Sequence, residues 1–376
     1  MWRDRSRATV IGITGTAGKT TVKEALSSIL SKVGKTAKNP VNNNNQIGMP
    51  CAILNIDGDE RFWVIEVGIS HEHDMDELGN ILCPDVALIL NVGDGHTEGL
   101  LDKGVAYYKA RLLSYLSPNG YGLINADYKD LVNESKVYKN RVNYFGTESD
   151  LSNIKCKYIS QECDNNLGKF EVRINNEKFE IFAPFHGQSG AENVSAIVAI
   201  TKSLNIDIKI IQKEFRNIIL PEKRFNRCIV NNWEIIDDSY NANPLSMQRM
   251  LEVAKEIAKK RPFITVLGEM LELGSLSKIK HHDLGLLLSH ISPTAVFWKG
   301  GNSDNIYEGL KEGNFKGQFI PFSNEKEFKI ALDNVHFNEI KQKNGLIFFK
   351  GSRGNHLEIF CKYFLEQCLK EKCSVL

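Results

Sequence analysis

The sequence predicts an α/β protein of two domains, each built on a mostly parallel sheet. Three observations support this. The chain has 376 residues, 42% of them apolar, enough for two or three domains with full cores. RFWVIEVG (61–68) and PDVALILNVG (84–93) are short continuous apolar runs, as in strands covered on both faces. Finally, β-prone residues Val10 to Thr14 run through a glycine-rich turn into the helix-forming stretch VKEALSSIL, the order expected of a strand–loop–helix unit.

Taken in order, the segments near 18–31 and 103–116 have helical periodicity, and GYGLINA (120–126) is a further buried strand. Helices are therefore expected on both faces of the sheet, with functional groups beyond the carboxyl ends of its strands, where Glu66, Gly68, Asn91 and His96 fall. Residues 151–185 change character: KCKYIS, GKFEVRI and EKFEIFA alternate nearer to period two, which predicts a small antiparallel excursion. A helix at about 190–204 follows. RCIVNNWEIID (227–237) reads as a hairpin, and three more strand–helix alternations lead to GLIFFKGSRG. The expected domains are 1–221, a P-loop domain, and 222–376, a Rossmann-like α/β domain.

Composition limits the function. With 47 basic and 46 acidic residues the net charge is +1, so no global field favours nucleic acid or an anionic membrane. No apolar run approaches the ~20 residues of a membrane span. Eight cysteines, at 51, 83, 156, 163, 228, 361, 368 and 373, include no C-x-x-C pair and read as free thiols in a reducing cytoplasm.

The turn after the first strand is TGTAGKTT, residues 14–21. A glycine-rich turn opening a helix gathers backbone N–H groups at the positive end of the helix dipole, a cradle for phosphate. Gly15, Thr16, Ala17 and Gly18 would form it, with Thr21 following. Lys19 would reach the outer phosphates, and the Thr20 hydroxyl would ligate Mg²⁺. The strict pattern wants a glycine at Ile13, so this is a variant loop. The reading is a nucleoside-triphosphate site.

Further motifs make the reading specific: NNNQIGMP at 43–50, IEVG at 65–68, NVGDGHTEG at 91–99, DDSYNANP at 237–244, GEMLELG at 268–274 and KGSRG at 350–354. With the loop they occur in the order of the Mur ligase family, which the chain resembles from about Val10 to Glu358. Within the family it is most similar to the branch that adds D-alanyl-D-alanine to a UDP-muramoyl tripeptide. The resemblance implies an ATP- and Mg²⁺-dependent ligase that joins a carboxylate to the amine of an amino acid or short peptide. It gives Glu66 and His96 the role of ligands to a bridging cation. At Lys109 relatives carry a lysine carbamylated by CO₂. The usual K-G-E reads Lys109-Ala-Arg111 here, and a lysine at that point is otherwise a solvated helix residue.

Asn193 matches a contact to the adenine side of ATP, although Ser189 replaces the usual histidine four residues earlier; a helix cap is an equally good reading. Arg224 falls where relatives carry a Gly-Arg that meets the phosphates, with Lys223 in place of glycine. As a mobile clamp from the second domain it would offset transferring charge in an open–closed cycle. Asp238, Tyr240, Asn241 and Asn243 are assigned to ribose and adenine, and Asn243-Pro244 is also good cap chemistry. Substrate contacts are expected at Asn44, Asn45, Lys350, Ser352 and Arg353. The pair His281-His282 and the cluster His71-Glu-His-Asp74 are set aside, the latter as a solvated loop.

The expected reaction activates a carboxylate as an acyl phosphate, with Lys19, Glu66, His96, Lys109 and Arg224 as the catalytic set. About nine residues precede the first strand, whereas peptidoglycan members of the family begin with a domain that grips the UDP-sugar. This predicts a carboxylate other than a UDP-muramoyl peptide, or a separate substrate-binding subunit. A nucleotide-binding partner subunit without ligase activity is the alternative that Ser189, Lys223 and Arg111 keep open. A nucleic-acid-stimulated NTPase is disfavoured by the want of basic or aromatic patches.

Overall fold

The computed structural model describes residues 3, 6–40, 43–95, 99–100, 103–162, 166–175, 177–334 and 344–370. The chain divides into two compact units, Met1–Leu220 and Pro221–Leu376.

The first unit holds a nine-stranded sheet in the order β2-β3-β1-β4-β5-β6-β7-β8-β9. Its strands are β1 (Thr9–Thr14), β2 (Thr36–Lys38), β3 (Phe62–Glu66), β4 (Val86–Ile89), β5 (Tyr121–Asn125), β6 (Val142–Gly146), β7 (Ile154–Gln161), β8 (Gly168–Ile174) and β9 (Glu177–Ala183). Pairing is parallel from β2 through β7, and antiparallel in β7–β8–β9. The antiparallel excursion is thus the continuation of the same sheet.

Both faces are covered, as the unbroken apolar runs require. Ile11 and Ile13 of β1, Phe62 and Val64 of β3, and Val86 and Leu88 of β4 feed one core. Their neighbours Val10, Trp63, Ile65, Ala87 and Ile89 feed the other. This is the period-two geometry of a strand applied to two cores. Helices α1 (Lys19–Leu30), α6 (Gly187–Ser203) and α7 (Ile208–Phe215) cover the first face. Helices α2 (Gly48–Leu54), α3 (Asp74–Leu82), α4 (Gly104–Ala110) and α5 (Lys129–Ser135) contribute to the second. The segment expected as one helix over 103–116 is α4 followed by a 3₁₀ turn, Arg111–Tyr115. In β8, Gly168, Phe170 and Val172 point inward while Lys169, Glu171 and Arg173 do not, which is why this stretch alternates in sequence.

The second unit is a six-stranded sheet, β10-β11-β15-β12-β13-β14. It comprises β10 (Asn226–Val230), β11 (Trp233–Asp237), β12 (Phe263–Gly268), β13 (Ala295–Lys299), β14 (Gln318–Phe322) and β15 (Gly345–Lys350). The β10–β11 pair is the expected hairpin and the rest is parallel. Its helices are α8 (Pro244–Ala258), α9 (Ser277–Ile291), α10 (Ser303–Glu312), α11 (Glu325–Asn334) and α12 (Glu358–Lys370). Among the described residues no helix is long and apolar enough to cross a membrane.

Candidate active site

In the first unit the carboxyl ends of β1, β3 and β4 gather the polar groups. The loop after β1 needs two unusual backbone conformations. Gly18 sits at φ +81°, and a Cβ there would lie 2.8 Å from Asn193 Oδ1; Gly15 sits at φ +155°. Helix α1 has no side-chain cap and no acidic residue in its first turn. The positive end of its dipole therefore meets no side-chain cap or acid, an arrangement that favours an anion. By contrast α7 is capped by Asp207 and α8 by Asn243.

Two side chains hold the loop from behind. Asn91, just past β4, accepts from Ala17 N at 2.8 Å and donates to Ala17 O at 3.1 Å, while its own carbonyl accepts from Thr16 N. Thr16 Oγ1 donates to Gly93 O and accepts from Gly93 N. Lys19 lies over the loop and donates to Gly15 O at 2.8 Å. Thr20, in the first turn of α1, is buried. Asn193 lies inside α6, whose N-cap is His186, so the cap reading of Asn193 is corrected; its amide stands against Gly18 instead.

Glu66, the last residue of β3, is 3% exposed. Its Oε1 accepts from Asn44 Nδ2 at 2.8 Å, and its buried Oε2 accepts no hydrogen bond. A buried carboxylate oxygen left bare in this way suits a hard divalent cation, which takes oxygen ligands. With the Thr20 hydroxyl at the start of α1, the residues present fit Mg²⁺. His96 lies outside the described residues.

Lys109, on α4, is 1% exposed, so it is not the solvated helix residue that stood as the alternative to a site role. Burial pushes its ammonium well below the ordinary lysine range, and the nearby charge of Lys19 adds to this. Arg111, in the place of the usual acid, turns to Asp76 at 2.6 Å. The Asn44 and Asn45 pair divides: Asn44 holds Glu66, whereas Asn45 Oδ1 accepts from Gly48 N at 2.8 Å and opens α2. Gly68 is fixed by the same contact, since a Cβ would meet the Asn44 amide at 2.8 Å. The 71–74 cluster is not a wholly solvated loop: Asp74 is buried and accepts from Ser70 N at 2.6 Å and His71 N at 2.8 Å.

The second unit brings its predicted residues together at the ends of β11 and β15. Lys223, in place of the family's glycine, takes φ +59°, the left-handed conformation that glycine favours, and pairs with Glu358 at 3.0 Å. The next residue, Arg224, stacks 3.9 Å over the Tyr240 ring, and the exposed Arg353 lies 5.5 Å from that ring. Asp238 accepts from Phe225 N at 3.1 Å and from the ammonium of Lys350, which also donates to Asn241 O at 3.1 Å. Lys350 is 2% exposed, and burial lowers its pKa despite Asp238.

Ser352 Oγ accepts from Leu271 N at 2.9 Å and donates to Ala242 O at 3.3 Å, so it ties three loops together. Asn241 Oδ1 accepts from Ala242 N, and Asn243 forms a capping box with Ser246, behind Pro244. His281 is buried, donating from Nδ1 to Ser277 O and accepting at Nε2 from Met270 N; His282 pairs with Glu312 at 3.2 Å.

Sequence reasoning passed over Lys23 and Asn39. Lys23 is wholly buried beside Glu66, with Nζ 3.9 Å from Oε2. Asn39 is bonded to both Glu66 N and Glu66 O. Lys23 stands four residues after Lys19 on the same helix face, a spacing that could have flagged it.

Comparison with known proteins adds the following. A family model described as Mur ligase middle domain matches residues 13–201, and one described as Mur ligase, glutamate ligase domain matches 223–353. The UDP-N-acetylmuramoyl-tripeptide–D-alanyl-D-alanine ligase of Buchnera aphidicola subsp. Baizongia pistaciae is 30% identical over 372 residues, covering 98% of this chain and 77% of the relative. The crystal structure of MurF from Acinetobacter baumannii superposes with a TM-score of 0.86 at 25% identity, covering 97% of this chain and 78% of its own. The MurF ligase of Thermotoga maritima, solved in complex with ADP, gives 0.82 at 25% identity, covering 98% and 83%.

Proposed function

We infer the reaction from one premise: the chain belongs to the Mur ligase family, matching that family's middle and glutamate-ligase domains in order. It is an ATP-dependent, ADP-forming carbon–nitrogen ligase. We propose that it joins D-alanyl-D-alanine to UDP-N-acetylmuramoyl-tripeptide, the reaction for which its relatives are named, in the cytoplasm where ATP is supplied. The expectation of a different carboxylate rested on the short stretch before β1. Relatives named for the muramoyl tripeptide match nearly the whole chain and give that expectation no support.

The tripeptide's terminal carboxylate oxygen attacks the γ-phosphorus, forming an O–P bond as the bond to ADP breaks. The amine of D-alanyl-D-alanine then attacks the acyl carbon. A C–N bond forms, the amine gives up a proton, and phosphate leaves with the oxygen that made the attack. The loop amides of residues 15–18 and Lys19 hold the phosphates in line, and preorganised donors there cost no reorganisation as charge moves. Thr20 and Glu66, with His96, are proposed to hold Mg²⁺, which would neutralise phosphate charge when bound. Bare Glu66 Oε2 is the single observation that carries this assignment.

Lys109 is proposed to be carbamylated. Its buried amine, beside the charge of Lys19, favours the uncharged form that attacks CO₂ and releases a proton, giving a carbamate anion that would help hold a divalent cation. Arg224 is the proposed clamp on transferring phosphate charge, with Asn193, Asp238, Tyr240, Asn241 and Asn243 on the nucleotide side. Arg353, exposed beside Tyr240, is suited to the carboxylate of the incoming dipeptide.

The test is product isolation. Incubation with ATP, Mg²⁺, UDP-muramoyl tripeptide and D-alanyl-D-alanine gives the mass of the pentapeptide, and Lys19→Ala abolishes it with the fold intact. Full activity of that variant would remove the loop from the mechanism. Ligation of another carboxylate, with the tripeptide refused, would overturn the substrate.

A further inference from the structure

We infer that Lys23 and Asn39 are positioning residues for Glu66, holding its carboxylate so that one oxygen stays bare for a divalent cation. The inference rests on the reading of Glu66 as a metal ligand and adds the machinery behind it.

The geometry begins at a strand end. Strand β2 pairs with β3 only as far as Lys38↔Val64. Beyond that point the Asn39 side chain does the work of the ladder: its Oδ1 accepts from Glu66 N at 2.8 Å and its Nδ2 donates to Glu66 O at 3.0 Å. The same Nδ2 donates to Asn43 O at 2.6 Å, tying in the segment that carries Asn44. Asn44 then fixes Glu66 Oε1 at 2.8 Å. Both the backbone and one carboxylate oxygen of Glu66 are thereby set by asparagine amides.

Lys23 completes the set. A lysine is almost never fully buried unless paired, and this one has no exposed surface. Its ammonium donates to Asn39 O at 2.7 Å and stands 3.2 Å from Glu24. It lies 3.9 Å from Glu66 Oε2, too far for a hydrogen bond and close enough to offset the buried charge. It holds Asn39 in place while leaving Oε2 without a donor. Because Lys23 is one helical turn beyond Lys19, the helix that opens on the phosphates also sets the carboxylate at the neighbouring strand end. Groups that orient metal ligands typically change metal affinity by about 10–100-fold when removed.

Lys23→Met, Asn39→Ala and Glu66→Gln test this beside the unaltered protein. Each is titrated with Mn²⁺ in the presence of ADP and followed by electron paramagnetic resonance. ADP binding in EDTA and thermal unfolding are measured in parallel. Lys23→Met and Asn39→Ala are expected to weaken Mn²⁺ by about 10–100-fold while ADP binding in EDTA persists. A variant that melts lower yet binds Mn²⁺ normally would make the residue merely structural and overturn the inference. Tighter Mn²⁺ binding in Lys23→Met would do so too, since the ammonium would then only repel the cation. Unchanged Mn²⁺ binding in Glu66→Gln would instead overturn the assignment of Glu66. Should Lys23→Met fail to fold, Asn39→Ala decides alone.

Discussion

Lys350→Met should destabilise the second unit rather than simply weaken substrate binding. The ammonium of Lys350 bonds Asp238 and Asn241 O, and both side chains are buried. Its removal leaves Asp238 with only the Phe225 N donor on Oδ1 and a bare anionic oxygen. Breaking a buried pair from one side costs about 3–5 kcal/mol, because the remaining charge is uncompensated. For a unit of this size, Pro221–Leu376, each kcal/mol moves Tm by about 2–4 °C, so a fall of ~6–20 °C is expected. Calorimetry of the full chain measures it, with Asp238→Asn and the double variant closing a cycle. The double variant should unfold above Lys350→Met, since no buried charge remains. A Lys350→Met protein that melts normally while its KM for D-alanyl-D-alanine rises would refute the reasoning. The ammonium would then serve the substrate and not the 238–241 loop.

Other outcomes follow from the same geometry. Gly18→Ala forces a side chain into φ +81° and toward Asn193 Oδ1, so it should strain the loop by about 1–3 kcal/mol and weaken ATP binding, read by calorimetric titration. Lys109→Ala should lose turnover and regain part of it with added short carboxylates; no rescue, with a bare ammonium in a high-resolution nucleotide complex, would exclude the carbamate. His281 is held neutral by burial, with its pKa below the ordinary 6.5. The unfolded chain therefore binds a proton there that the folded chain refuses, and stability should fall as pH drops through 6.5 toward the lower folded value. Denaturant midpoints across that window should show the fall, and His281→Gln should flatten it.

The phosphate loop, the strand ends and the two sheets were legible because each rests on a local pattern: a glycine turn between apolar strand and helix, continuous apolar runs, and the period-two stretch from 154 to 183. What was not legible depends on partners far apart in sequence. Asn91 reaches Ala17 across 74 positions and Asn39 reaches Glu66 across 27, and no spacing rule links them. Lys109 stands out in sequence only through the family pattern, because helical position alone does not tell which face meets the core. Lys223 shows the reverse case. A departure from the glycine of the family pattern looked damaging in sequence, yet the backbone keeps the left-handed conformation with a lysine in it. Asn193 reads in sequence equally as a cap or as an adenine-side contact, and the start of its helix at Gly187 removes the cap reading.

The central claim, ligation through an acyl phosphate, is tested most directly by oxygen transfer. UDP-muramoyl tripeptide labelled with ¹⁸O in its terminal carboxylate is turned over with ATP and D-alanyl-D-alanine, and the released phosphate is weighed by mass spectrometry. The account predicts one ¹⁸O in each phosphate derived from doubly labelled carboxylate, with ADP formed in step with product. Phosphate free of label, or ADP release that needs neither substrate, would contradict it.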